Sequence, residues 1–262
     1  MKKNKKIKFV LLIAVLIAVL LVGLCYRFFV KNDETKPYLN SQIISSGEDF
    51  FKSNLISETE TEVSSKNDQN LPLSYLIENF PFQSQAPLSN WDQLHDEACE
   101  EASVILVDYF LNHKNLSSDE MNLQILKMVD WQKEKTGQTE QKDLTTQETL
   151  VIAKDFFGLK GKIVDNASIT DLKKEIAQNH AVIVPTAGRL LGNPNFRAPG
   201  PIYHMVVAIG YDEKNMIVQD VGTRNGDHYI YNEKIFANAW HDWAGSAETI
   251  EQGKRNMLVL SN

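Results

Sequence analysis

Eighteen consecutive residues, Phe9 to Tyr26 (FVLLIAVLIAVLLVGLCY), carry no charge. As a helix the run extends about 27 Å at 1.5 Å per residue, close to the thickness of a bilayer's hydrocarbon core. Phe28, Phe29 and Val30 lengthen it further. A cleaved signal peptide is the competing interpretation, but its apolar region is shorter, roughly 7–15 residues, and ends in a small-x-small site absent here. Cys25 is preceded by Leu24, where a lipoprotein cysteine wants a small residue. Lys2, Lys3, Lys5, Lys6 and Lys8 outweigh Arg27 and Lys31, so the positive-inside rule holds the N-terminus in the cytoplasm. Residues 1–31 are therefore expected to be a basic stub and an uncleaved transmembrane signal anchor. Everything beyond them is expected outside a single-pass cell membrane, a layout that suits a bacterial cell envelope.

Residues 32–78 carry nine acids against three lysines and are rich in Ser, Thr, Asn and Glu, as in SETETEVSSKNDQN. Such a composition buries too little apolar surface to fold and predicts a flexible acidic linker, with a reach on the order of 40 Å. From residue 79 to 262 the composition is globular. The whole chain, at 43% hydrophobic and 23% charged, excludes a disordered or collagen-like protein. A net charge of −7 argues against a nucleic-acid partner, because phosphate recognition wants a basic surface.

Within the globular part, apolar spacing and caps predict helices over Cys99–Leu111, from Ser117 and Ser118 to near Gly137, over Thr146–Phe157, Asp171–Asn179 and Glu233–Trp240. Short apolar runs predict strands at Lys162–Val164, Ala181–Val184, Tyr203–Gly210, Met216–Asp220, His228–Tyr231 and Asn256–Leu260, with a tight turn at 212–215. Helices come first and strands follow, which is an α+β order.

The chain has two cysteines, and Cys25 lies in the apolar run, so Cys99 has no partner in its own domain. Outside the cell an unpaired thiol is unusual. The start of a helix favours thiolate, whereas Glu100 and Glu101 in the same first turn oppose it. A thiolate nucleophile needs a base, and the base an orienting group. His113, His180 and His228 sit beside turn residues, and His241 lies between tryptophans in AWHDW. His95, four residues before Cys99, is one candidate base. His204 is the other, leading the apolar strand YHMVVAIGYD after the Gly/Pro-rich loop GRLLGNPNFRAPGP. Asp220, in VQDVGTRNG, returns on the next strand, but the sequence does not give the register that would bring it to His204.

The blocks PFQSQAPLSNW…DEACEEAS, GNPNFRAPGPIYHMVVAIGYD, QDVGTRNG and AWHDW, in this order, resemble the papain-like cysteine peptidases typified by bacteriocin-leader peptidases. The likeness is to their stand-alone C-thirty-nine-like branch and covers roughly residues 80–250. It implies a helix bearing the nucleophile packed on an antiparallel sheet bearing the other two residues. It maps the nucleophile to Cys99, the base to His204, the orienting carboxylate to Asp220 and the oxyanion donor to Gln85, with Gln93 as the rival. Glu100 stands where leader peptidases have glycine, and no ATP-binding cassette follows, so a leader-exporting role is not supported. The resemblance implies a cysteine peptidase or amidase acting on peptide-like substrates, with no cofactor. An inactive papain-like domain that binds peptide or cell-wall ligands, and a transglutaminase-like acyl transferase, are the alternatives. A metal site is the weakest reading, since Cys99, His95 and Asp96 lack the paired ligand spacing of zinc sites.

Overall fold

The computed structural model describes residues 71–137 and 141–262. The expected membrane anchor and most of the expected linker lie outside the described residues. Among the described residues no helix is long and apolar enough to cross a membrane. The folded body takes in residues on the linker side of the expected boundary at 79. Strand β1 (Tyr75–Leu76) pairs with the sheet, and Ile77 is fully buried. A two-residue strand carries too little periodicity to read from sequence.

The fold is α+β. Among the described residues six α-helices, α1 (Gln93–Asp96), α2 (Cys99–Leu111), α3 (Ser118–Thr136), α4 (Thr146–Phe157), α5 (Ile169–Ala177) and α6 (Glu233–Ala239), accompany one antiparallel sheet. Its further strands are β2 (Lys160–Val164), β3 (Val182–Ala187), β4 (Tyr203–Tyr211), β5 (Asn215–Gln219), β6 (Tyr229–Asn232) and β7 (Met257–Ser261), in the order β2-β7-β3-β4-β5-β6. β1 continues the edge of β4 that β3 leaves.

Local chemistry sets the helix ends. Ser117 caps α3 by accepting from Glu120 N–H, and Gly137, at φ 70°, closes it in the left-handed conformation that glycine adopts without strain. Thr145 and Glu148 form a reciprocal capping box on α4, and Ser168 and Asp171 form another on α5. That second box starts α5 at Ile169, two residues before the position expected from apolar spacing. The start of α2 differs: Ala98 stands at the N-cap and no side chain caps it.

α2 is buried from Cys99 to Tyr109 and packs on β4, whose nine residues are all buried. β4 is covered on both edges, by β3 and β1 on one side and β5 on the other. It is the strand around which the core is built. The pairing Val207↔Gln219 sets the register of β5 against β4. One residue beyond the end of β5, Asp220 falls level with Val206, on the same face as His204 and two residues along. Such diagonal neighbours are within reach of long side chains.

Candidate active site

His204 Nε2 lies 2.8 Å from Asp220 Oδ1, and the two side chains are 2% and 0% exposed. Asp220 has three further donors. Gly222 N–H donates to Oδ1 at 3.0 Å, while Asn193 Nδ2 and the Tyr231 hydroxyl both donate to Oδ2. Burial works to raise the Asp220 carboxyl. The adjacent His204 and the hydrogen bonds from His204, Tyr231 and Asn193 outweigh it and hold the group below the ordinary aspartate range.

Two neighbours fix the imidazole from the sides. Phe196, from the loop after β3, meets its ring edge to face at 5.4 Å and 80°. Gly222 passes so close that an added Cβ would sit 2.8 Å from His204 Cε1. Position 222 therefore takes glycine because the backbone approaches the ring, a constraint that GTRNG does not announce in sequence.

Cys99, the first residue of α2, points its sulfur at the neighbouring strand. Met205 N–H, the residue after His204, donates to Sγ at 3.4 Å. Cys99 and His204 both line a cleft of about 840 Å³ between the start of α2 and the loops after β3 and β5. Arg197 reaches from one of those loops to Asp96 of α1 at 3.3 Å.

The surroundings of the thiol do not match the expectation from a helix start alone. Burial pushes the Cys99 thiol well up, and the neighbouring Glu100 adds to the shift. Glu100 Oε2 accepts from Cys99 Sγ at 3.1 Å, and its Oε1 accepts from Leu144 N–H at 2.8 Å. At 1% exposure, Glu100 is itself pushed well above the carboxylate range by burial and by Glu101. Its amphipathic-looking place in a first helical turn conceals this: α2 is buried on all sides, so both acids of the turn are inside.

The structure separates the two glutamines. Gln85 is buried and lines the same cleft as Cys99, whereas Gln93 is exposed and lines a separate depression with Glu97, Lys142 and Glu148. Gln85 Nε2 donates to the carbonyls of His95 and Asp96 at 2.7 and 3.0 Å, and its Oε1 has no partner among the described residues. His95 belongs to a different network: Asp92 lies 2.7 Å from Nδ1 and Asn122 3.0 Å from Nε2. Its ring is engaged there, so it is removed as a rival base. His180 pairs with Glu175, His228 with Asp227, and His241 with the carbonyls of Gly253 and Asn238. Among the described residues no cluster of three His, Cys, Asp or Glu could hold a metal ion.

Asn193, Tyr231, Gly222 and Phe196 were not singled out by sequence. Asn193, Gly222 and Tyr231 lie eleven or more residues from His204 in the chain, and Phe196 is eight residues before it in the Gly/Pro-rich loop. The Gly/Pro-rich loop brings Asn193 and Phe196 to the pair, the turn after β5 brings Gly222, and the pairing of β6 with β5 brings Tyr231.

The family whose model is described as "Peptidase_C39 like family" matches residues 77–248. No curated protein matches the sequence. Among solved structures, a Bacillus anthracis protein assigned to the C39-like peptidases is 16% identical with a TM-score of 0.49, over 72% of this chain and 98% of its own. The Carica candamarcensis cysteine protease CMS1MS2, in complex with E-64, is 13% identical with a TM-score of 0.36, over 73% of this chain and 99% of its own.

Proposed function

The chain belongs to the peptidase C39-like family, and from that premise we propose that it is a membrane-anchored, outward-facing thiol hydrolase that cleaves peptide or amide bonds. The observation that carries the reading is the buried His204–Asp220 pair at 2.8 Å, opening into the cleft that holds Cys99. With Nε2 engaged by Asp220, Nδ1 is the nitrogen that takes the proton from Cys99. The sulfur then attacks a carbonyl carbon, His204 returns the proton to the leaving amine, and water resolves the thioester. Asp220 holds the tautomer and stabilises the imidazolium. The Cys99 N–H at the uncapped start of α2 supplies one oxyanion donor, and Gln85 on the cleft wall supplies a second once its Nε2 turns from the His95 and Asp96 carbonyls toward the substrate. One such donor contributes roughly 3–4 kcal/mol to lowering the barrier. The uncharged run Phe9–Tyr26 supports the anchor, and the lysines before it support the orientation.

One observation favours a second reading, an inactive domain that binds peptide. Burial and Glu100 hold the Cys99 thiol up, which is the wrong direction for a free-standing nucleophile. A single experiment separates the two. Alkylation of Cys99 by iodoacetamide is followed against pH on the full chain, read on the Cys99 peptide by mass spectrometry. Hydrolase function predicts a reactivity step well below the free-thiol value of about 8.5, lost in His204→Ala. One step at or above about 8.5 in both proteins would overturn it in favour of the binding module.

A further inference from the structure

Glu100 touches the nucleophile and has no role in the mechanism above. Its carboxyl is 1% exposed, with Oε2 3.1 Å from Cys99 Sγ and Oε1 taken by Leu144 N–H. No basic side chain is paired with it among the described residues. The ionisable groups around it are Cys99 and Glu101 on its own helix, Asp143 in the segment before α4, and Tyr203 on β4. Glu97 faces Asp143, and Asp242 faces Tyr203. These are acids, a thiol and a phenol, so nothing there compensates a buried carboxylate.

We propose that Glu100 is a protonated carboxylic acid in the reactive enzyme, that its Oε2–H donates to the Cys99 thiolate, and that its ionisation switches the nucleophile off at alkaline pH. This rests on the hydrolase reading. Two proton arrangements fit the same geometry. With Glu100 ionised, the thiol S–H donates to Oε2 and the sulfur is not a nucleophile. With the proton on Oε2, the hydrogen bond reverses. The Cys99 proton has then passed to His204, and the sulfur is a thiolate accepting from the acid. Oε1 cannot carry the proton without surrendering the Leu144 N–H, which places it on the oxygen facing sulfur. A thiolate beside an ionised Glu100 would set two negative charges about 3 Å apart in a dry pocket, the arrangement that like-charge repulsion forbids. The transfer within Cys99 and His204 conserves charge, and Glu100 keeps its proton throughout. It is a donor to the reacting atom and not a proton shuttle.

The test compares iodoacetamide alkylation of Cys99 in the full-length protein, Glu100→Gln, Glu100→Ala and His204→Ala between about pH 5 and pH 10. The unmodified protein is expected to pass through a maximum and fall at least about threefold on the alkaline side. Glu100→Gln, a neutral donor at every pH, retains the maximum without that fall. Glu100→Ala, with no donor, loses about tenfold at the maximum, one pKa unit of thiolate stabilisation. An alkaline fall that persists in Glu100→Gln, or none in the unmodified protein, overturns the proposal. If Glu100→Gln does not fold, the unmodified profile decides alone. A His204→Ala profile identical to the parent would instead sink the hydrolase reading. Superimposable parent and Glu100→Gln profiles, with reactivity lost in His204→Ala, reject only the role of Glu100.

Discussion

Two buried carboxyl groups flank the cleft, and they are treated in opposite ways. On the sheet side Asp220 receives Gly222 N–H, Asn193, Tyr231 and His204, and it stays below the ordinary aspartate range despite being fully buried. On the helix side Glu100 receives one backbone N–H and the weakly donating thiol, among Glu101 and Asp143, and is driven well up. Burial is equal in the two places. What differs is the count of donors and the sign of the neighbours, so donor supply and not depth decides which carboxyl is an anion. In the mechanism we propose, the Asp220 end supports an imidazolium and the Glu100 end tolerates a thiolate.

The sharpest way to break the contrast is Asp220→Asn. It removes the anion while keeping the side-chain shape, and Cys99 alkylation at neutral pH should fall about a hundredfold, equivalent to two pKa units. Unchanged alkylation would show that the sheet-side charge does not support the imidazolium. Tyr231→Phe weakens the same end by one donor. It should cost about 1–1.5 kcal/mol in urea unfolding and move the Asp220 carboxyl upward, which raises the pH at which the acidic limb of alkylation begins. No change in that limb would mean the remaining donors suffice.

The smallest effect is expected at Asp143. Burial and then Glu97 push Asp143 up to about 6. An acid whose folded value lies above its unfolded one favours the folded state at low pH, and that contribution is lost as pH rises through the folded value. Asp143→Asn should therefore leave Tm unchanged near pH 4 and raise it by about 2 °C at pH 8. A lowered Tm at pH 8 would show Asp143 to be stabilised as an anion.

Much of this was legible one element at a time. Ser117 at the start of α3 and Gly158 at the end of α4 mark helix ends through short-range hydrogen bonds. The unpaired Cys99, and His204 at the head of an apolar strand after a glycine-rich loop, stand out because each residue type is rare in its setting. Asn193 and Tyr231 did not stand out. An asparagine in a loop and a tyrosine in a strand are ordinary, and their part comes from Asp220, 27 and 11 residues away. The resemblance favoured Gln85 with Gln93 as rival, and the structure buries the first in the cleft and leaves the second in solvent.

Periodicity, capping and hydropathy act over a few residues, so the α+β order, most helix ends and the uncharged N-terminal run can be read along the chain. The surroundings that shift each buried acid come from packing and register. The register Val207↔Gln219 brings Asp220 to His204, and the packing of α2 on β4 closes Glu100 away from water beside the thiol. Ionisation in a pocket depends on donors and charges gathered from distant segments, and no local pattern encodes that sum.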